Sequence, residues 1–268
     1  MNYWTQSKDN IFVAAHRGYS EKYPENTMLA FKKAVELGVD QIETDIRVTK
    51  DGELVLHHDY ELDRTTNGTG HVRDTNLSDV LKVDAGIKKG PEFSGEKIPT
   101  LIEFLEYTKD IPGLTIDFEL KEYPVQGRDK MAYDACDKAL DLIDRYGFTE
   151  RCVINTFNAK LHEYILKHYG KKFKQHVYYP INMMGPCEID PYTYAYCCCV
   201  FRTRFSYVDV ASVEECDMMR NYGVQPWAGA SVKDEKGVDM VIERQIPLIT
   251  CNDPETILSI LRSKGKHK

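Results

Sequence analysis

The chain is 268 residues long, 42% hydrophobic, and carries a formal net charge of −7. That length suits a single domain over residues 1–268 with one large core, in the roughly 200–250-residue range of α/β barrels, and the acidic balance excludes a general nucleic-acid binder, whose footprint is basic. No stretch approaches the ~18 apolar residues of a membrane span, and the opening MNYWTQSKDNIF lacks the basic and apolar regions of a secretion signal, so a cytoplasmic protein without stable membrane insertion is expected.

The elements follow in order. A strand over 12–15 leads to a helix over 26–37 and a second strand over 41–47, which alternates through Val48. A short third strand over 54–57 is joined to it by Thr49-Lys50-Asp51-Gly52, whose Asp-Gly pair signals a hairpin. With Lys50 and Asp51 as the turn, Asp45 opposes Leu56 and Glu43 opposes His58. Opposed residues share a face with Cβ atoms roughly 4.5–5.5 Å apart, which sets His58 beside Glu43, with Asp45 on the same face; His57 points the other way and is read as structural.

Residues 60–99 are rich in Gly, Asp, Thr and Lys and show no barrel strand. They are expected to be an insertion over the catalytic end of the barrel, shaping substrate choice. Further strands are predicted over 114–120, 152–155, 174–178, 207–210, 224–228 and 247–250. Helices are predicted over 101–108, 130–145, 159–169, 213–221, 236–244 and 254–263, the last opened by Asn252-Asp253-Pro254. Eight βα-like units imply a closed parallel (β/α)8 TIM barrel, with 54–57 as an antiparallel addition at its mouth. The lysine-rich end over 264–268 reads as a solvated tail. The eight cysteines, with Cys197, Cys198 and Cys199 consecutive and no repeated zinc spacing, read as reduced structural thiols.

The chemistry concentrates in the first 60 residues. His16 and His58 can handle protons, Glu43 and Asp45 can hold a hard divalent cation, and Arg17 offers a fork for phosphate. A parallel barrel strand is normally apolar on both faces, so inward carboxylates on the second strand need a functional partner. Glu119 and Asp117 share a face of the fourth strand, and the residue types alone do not choose between them. Asn26 is open to two roles, a site contact or a helix cap.

These residues resemble the barrel-type glycerophosphodiester phosphodiesterase family. The likeness rests on His16-Arg17-Gly18, Pro24-Glu25-Asn26-Thr27, Glu43-Thr44-Asp45, Thr49-Lys50-Asp51-Gly52, His58-Asp59, Ile98-Pro99-Thr100-Leu101, Glu119-Leu120-Lys121 and Ile249-Thr250 through Asp253-Pro254. It implies a TIM barrel with one bound Mg²⁺ or Ca²⁺ that hydrolyses a small glycerophosphodiester to glycerol 3-phosphate and an alcohol. It further implies Glu43, Asp45 and Glu119 as metal ligands, His16 and His58 as the acid/base pair, and Arg17 and Lys121 as phosphate contacts. Phe157 and Trp227 are candidate substrate-pocket walls, with a place in the core as the alternative for each. Two loops depart from the pattern: Asn155-Thr156-Phe157 stands where Ser-Phe is common, and Trp227-Ala228-Gly229-Ala230 where Trp-Thr-Val-Asn is expected. Both changes fall on the alcohol side. Homo-oligomerisation is left open. The alternatives are a phospholipase D-like barrel acting on lysophospholipid or sphingolipid head groups, which favours secretion and disulfides, and a catalytically silent binding barrel, which the intact residue set opposes. A glycosidase needs paired carboxylates but not two histidines and an arginine beside them.

Overall fold

The structure is a computed structural model and describes residue 4, residues 9–203 and residues 206–268. Its strands are β1 (Phe12–His16), β2 (Gln41–Val48), β3 (Leu54–Leu56), β4 (Thr115–Leu120), β5 (Cys152–Asn155), β6 (Lys174–Tyr179), β7 (Cys197–Thr203), β8 (Ser206–Val210), β9 (Gln225–Trp227) and β10 (Leu248–Cys251). The helices are α1 (Met28–Leu37), α2 (Leu77–Val80), α3 (Leu101–Thr108), α4 (Asp129–Arg145), α5 (Ala159–Tyr169), α6 (Val213–Asn221), α7 (Glu235–Glu243) and α8 (Pro254–Ser263).

Eight strands run parallel in a ring, β10-β1-β2-β4-β5-β6-β7-β9, and the ring closes where Ala228 bridges Ile249. This is the expected TIM barrel, with β3 and β8 as antiparallel additions. Between β6 and β7 the described residues form only two 3-10 turns in place of an α-helix. Among the described residues no helix is long and apolar enough to cross a membrane.

The sixth barrel strand differs from the one the sequence predicts: it is β7, beginning at the three cysteines, and the predicted strand over 207–210 belongs to β8, which folds back antiparallel on β7. Cys197, Cys198 and Cys199 are buried on both faces of the ring, as a parallel strand requires, but three small thiols carry no alternation by which to recognise a strand. The terminal residues over 264–268 are also tied down and not a loose tail. Ile11 donates its N–H to the Lys266 carbonyl, and His267 Nε2 lies 3.0 Å from Asp40.

Outward faces of β2 and β4 pack against α1 and α3. Phe31, Phe104, Phe118 and Phe148 form an edge-to-face series with ring centroids 4.7, 6.1 and 6.1 Å apart, each contact adding about 0.5–1.5 kcal/mol beyond area burial. Inside the ring, Trp4 stacks on Trp227 within a second cluster that includes Phe12, Ala14, Val153, Cys197 and Leu248. The barrel interior is therefore apolar at this level, which leaves the strand C-termini for polar side chains.

Residues 60–99 fill the connection between β3 and α3 with α2 and turns, and Leu62, Val72, Val80, Ala85 and Ile98 form a small core with Val55 of β3. The segment leans on the β1–α1 loop: Lys89 Nζ donates to the carbonyls of Ser20 and Glu21, and Phe93 packs edge-on against Tyr23.

Candidate active site

The polar residues of the site are placed by strand alternation. On β2, Glu43, Asp45 and Arg47 are all buried, and the ladder sets Glu43 beside His16 and Asp117, and Asp45 beside Glu119. Glu43, Asp45 and Glu119 each offer an oxygen, and these oxygens lie within 4.8 Å of one another. They line, or lie beside, a cavity of about 780 Å³ that His16, Arg17, His58, Lys121, Asn155, Phe157 and Tyr178 also line.

Burial and its carboxylate neighbours push Glu43 well above the ordinary carboxyl range. Burial also raises Glu119, although Lys121 opposes it. Asp45 goes the other way: burial would raise it, but Lys121 and Arg17 hold it far below the usual value. Lys121 Nζ is 2.5 Å from Glu119 Oε1 and 3.2 Å from Asp45 Oδ1, and Arg17 Nε is 3.2 Å from Asp45 Oδ2. Glu43 Oε1 is buried with no hydrogen-bond partner. Oxygen donors crowded in this way, one of them unpartnered, fit a hard divalent cation.

Arg17 sits at φ 59, a left-handed conformation, and Gly18 follows at φ 77. A Cβ on Gly18 would lie 2.7 Å from the Ala30 carbonyl carbon, so this turn needs glycine. The turn aims the Arg17 amide at Glu43 Oε2 (2.9 Å) and its guanidinium at Glu25 and Asp45. Asn26 is not the helix cap. Thr27 caps α1, while the Asn26 amide donates to Asp45 Oδ2 at 2.7 Å and its oxygen accepts from Thr44.

His58 reaches the cavity by a route the sequence did not predict. The hairpin pairs Ile46 with Leu56 and Val48 with Leu54, one residue away from the expected register, because Gly52 closes a turn on Thr49 with Thr49 and Glu53 bonded across it. A one-residue slip reverses faces, so cross-strand pairing does not set His58 beside Glu43. The chain instead leaves the ladder, and Arg47 donates from Nε and Nη2 to the His58 carbonyl at 3.1 and 2.7 Å. His58 Nδ1 then donates to Asp59 Oδ1 at 2.5 Å. His16 Nδ1 makes the matching bond to Asn252 Oδ1 at 2.6 Å, and its Nε2 lies 3.8 Å from Glu43. Burial, reinforced by Arg17, pushes His16 down to about 4, and burial lowers His58 as well. Burial thus favours the neutral form of both rings, and with Nδ1 engaged each ring leaves Nε2 without a hydrogen-bond partner among the described residues. His57 is buried with Nε2 on the Glu61 carbonyl, in agreement with a structural role.

Trp227 is not a pocket wall. It is fully buried beneath the cavity, 5.0 Å from His176 and stacked on Trp4. Phe157 does line the cavity, stacked on Tyr178 at 3.7 Å, with Lys121 5.7 Å from its ring. Asp117 is taken by His176 Nδ1 at 2.7 Å, which separates it from Glu119. Of the segment over 60–99, only Tyr60 and Glu61 line the cavity. Sequence reasoning passed over Arg47, Asn252 and His176. Arg47 was legible, since it continues the inward alternation of Glu43 and Asp45, whereas Asn252, read only as part of the start of α8, and His176 of β6 lie far along the chain with no local signal of a site role.

The profile of the Glycerophosphoryl diester phosphodiesterase family matches residues 16–185. A Glycerophosphodiester phosphodiesterase of Caldanaerobacter subterraneus subsp. tengcongensis is 37% identical over 259 residues, 94% of this chain and 98% of that protein. The human Glycerophosphodiester phosphodiesterase 1 is 40% identical over 116 residues, 42% of this chain and 35% of that protein. Among solved structures, an Oleispira antarctica phosphodiesterase in complex with the product sn-glycerol-3-phosphate superposes with a TM-score of 0.78 at 22% identity, covering 94% of this chain and 96% of that one. A glycerophosphodiester phosphodiesterase from Agrobacterium tumefaciens gives 0.73 at 21% identity, covering 92% and 98%. The chain belongs to the glycerophosphodiester phosphodiesterase family and is a phosphoric diester hydrolase of glycerophosphodiesters.

Proposed function

We propose that Glu43, Asp45 and Glu119 hold one divalent cation, Mg²⁺ or Ca²⁺, and that His16 and His58 exchange the protons as a glycerophosphodiester is hydrolysed to glycerol 3-phosphate and an alcohol. The observation that carries this is the buried carboxylate trio with its unpartnered Glu43 oxygen, opening on the same cavity as the two imidazoles. When bound, such a cation supplies positive charge that polarises the phosphoryl oxygens. Arg17 and Lys121 bind and orient the phosphate, the first as a fork and the second as a point charge. In the reaction a bond forms from the attacking water oxygen to phosphorus, and the bond from phosphorus to the alcohol oxygen breaks. One imidazole takes the proton from the nucleophile at Nε2, and the other, having first taken up a proton from solvent at its own Nε2, delivers that proton to the leaving oxygen. The product seen in the Oleispira structure supports this assignment of products.

The alcohol lies against Phe157, Tyr178 and Phe201 on one side and Tyr60 and Glu61 on the other. An aromatic wall of this kind also accommodates an apolar group, so a lysophospholipid belongs in the assay. Residues 60–99 act as an insertion within a single catalytic domain. A cytoplasmic location is supported by eight free thiols, which a reducing compartment preserves. The test is glycerol 3-phosphate release from a panel of choline, ethanolamine, glycerol and inositol diesters plus a lysophospholipid, with and without chelator. Hydrolysis of at least one glycerophosphodiester is expected, abolished by chelation and restored by Mg²⁺ or Ca²⁺. Full activity in excess EDTA with no metal retained sinks the three-ligand reading.

A further inference from the structure

One residue of the segment after His58 ties the two sides of the site together. The Arg64 guanidinium donates from Nε and Nη2 to Asp59, at 2.5 and 3.1 Å, and from Nη1 and Nη2 to Glu25, at 2.8 and 2.7 Å. Each carboxylate has a second duty. Asp59 accepts from His58 Nδ1 at 2.5 Å, and Glu25 accepts from Arg17 Nη1 at 2.9 Å. A continuous network therefore runs from His58 through Asp59, Arg64 and Glu25 to Arg17, and on to Asp45.

Most ion pairs at a surface contribute little, since two mobile side chains must be ordered in water. This one differs in geometry. The Asp59 and Glu25 side chains are only 23% and 20% exposed, and one planar fork engages both oxygens of each. Asp59 neighbours His58 in the chain, so a rotation about its own side-chain bonds would release the imidazole. Without that acceptor the two neutral tautomers of His58 become comparable, and the ring loses its fixed aim. Arg64 itself is 47% exposed, so its removal leaves the buried core unchanged.

We propose that Arg64 is a positioning residue for the hydrolysis: by holding Asp59 on His58 and Glu25 on Arg17, it fixes the tautomer and orientation of the imidazole and the aim of the phosphate fork. The proposal rests on the roles given above to His58 and Arg17. It also gives the segment over 60–99 a part in the chemical step, beyond the substrate choice expected from sequence. Lysine is a poor substitute because one ammonium cannot satisfy four oxygens of two carboxylates.

The experiment compares Arg64→Ala, Arg64→Lys, Asp59→Asn and the Asp59→Asn/Arg64→Ala pair in the metal-loaded enzyme, by steady-state kinetics and by NMR of ¹⁵N-histidine-labelled protein. The His58 resonances are assigned by their absence from His58→Ala. Arg64→Ala is expected to lower kcat about 10–100-fold, the scale on which partners of active-site groups act, with a much smaller change in KM. Arg64→Lys should recover part of that loss, and removing Arg64 should cost less in the Asp59→Asn background than in the native enzyme. In the spectra, the Nδ1-protonated tautomer of His58 should give way to a mixture. Native kcat in Arg64→Ala, or a lowered kcat with the His58 tautomer unchanged, overturns the proposal. Full activity of His58→Ala instead refutes the catalytic role of His58, and the tautomer spectra still judge the Arg64 contact. If Arg64→Ala does not fold, Arg64→Gln carries the same comparison.

Discussion

His16 and His58 are both pushed below the ordinary imidazole value by burial, but different partners hold them: an amide from the β10–α8 junction for His16, and the adjacent carboxylate for His58. Replacing either with alanine is expected to lower turnover by at least ~10²-fold, the scale of a lost general acid or base, with the circular dichroism spectrum unchanged. Native turnover in either variant removes that residue from the mechanism. Gly18 carries a different constraint, because its left-handed backbone and the close approach of Ala30 shape the turn that aims Arg17. Gly18→Ala should destabilise the fold by about 1–3 kcal/mol, read as a lower denaturant midpoint. An unchanged midpoint would show that the turn relaxes without cost.

The element that organises the site is β2, whose inward column supplies two of the three carboxylates and the arginine that anchors His58. Asn26, from the loop before α1, holds one of those carboxylates from outside the strand. Asn26→Ala is therefore expected to weaken Mg²⁺ or Ca²⁺ binding about 10–100-fold by calorimetry, the usual loss when a ligand's own partner is removed. Equal affinity would mean that Asp45 is held by Arg17 and Lys121 alone. The segment over 60–99 enters the cavity through Tyr60 and Glu61, while its remainder packs on β3 and the β1–α1 loop. Glu61 is half exposed, so Glu61→Gln should reduce selectivity for cationic over neutral head groups by about two- to fivefold, the scale of an exposed charge pair, and leave metal affinity unchanged. An identical profile of kcat/KM across the diester panel would assign head-group choice to the Phe157 wall.

On the scale of the whole molecule, the barrel buries histidines it does not use at the cavity. His162 of α5 is fully buried between Gln175 and the Thr156 carbonyl, and burial pushes it down to about 4. Between that value and the unfolded one near 6.5, the unfolded chain takes up a proton that the folded chain refuses, so stability falls as pH drops through this window and the contribution is absent above it. Denaturant titrations from pH 7 to pH 4 are expected to show this decline, reduced in His162→Gln. An equal slope in that variant would assign the acid sensitivity to other groups.

Period-two alternation and turn chemistry are local properties, and for that reason seven of the eight barrel strands, the hairpin after β2 and the inward Glu43 and Asp45 were legible in the sequence. The grouping of His16, Arg17 and His58 around one cavity was legible through the family resemblance and not through the hairpin, whose predicted register placed His58 wrongly. Register and partner choice depend on residues far apart in the chain. The hairpin slipped by one residue because the turn closed on Thr49, and β7 rather than β8 entered the ring because its cysteines fit between β6 and β9. Ring closure carried Trp227 down into the core and brought His176 onto Asp117, leaving Glu119 with the other two carboxylates. Arg64 finds Glu25 across 39 residues of chain, a contact that no local pattern encodes and that only the packed barrel mouth creates.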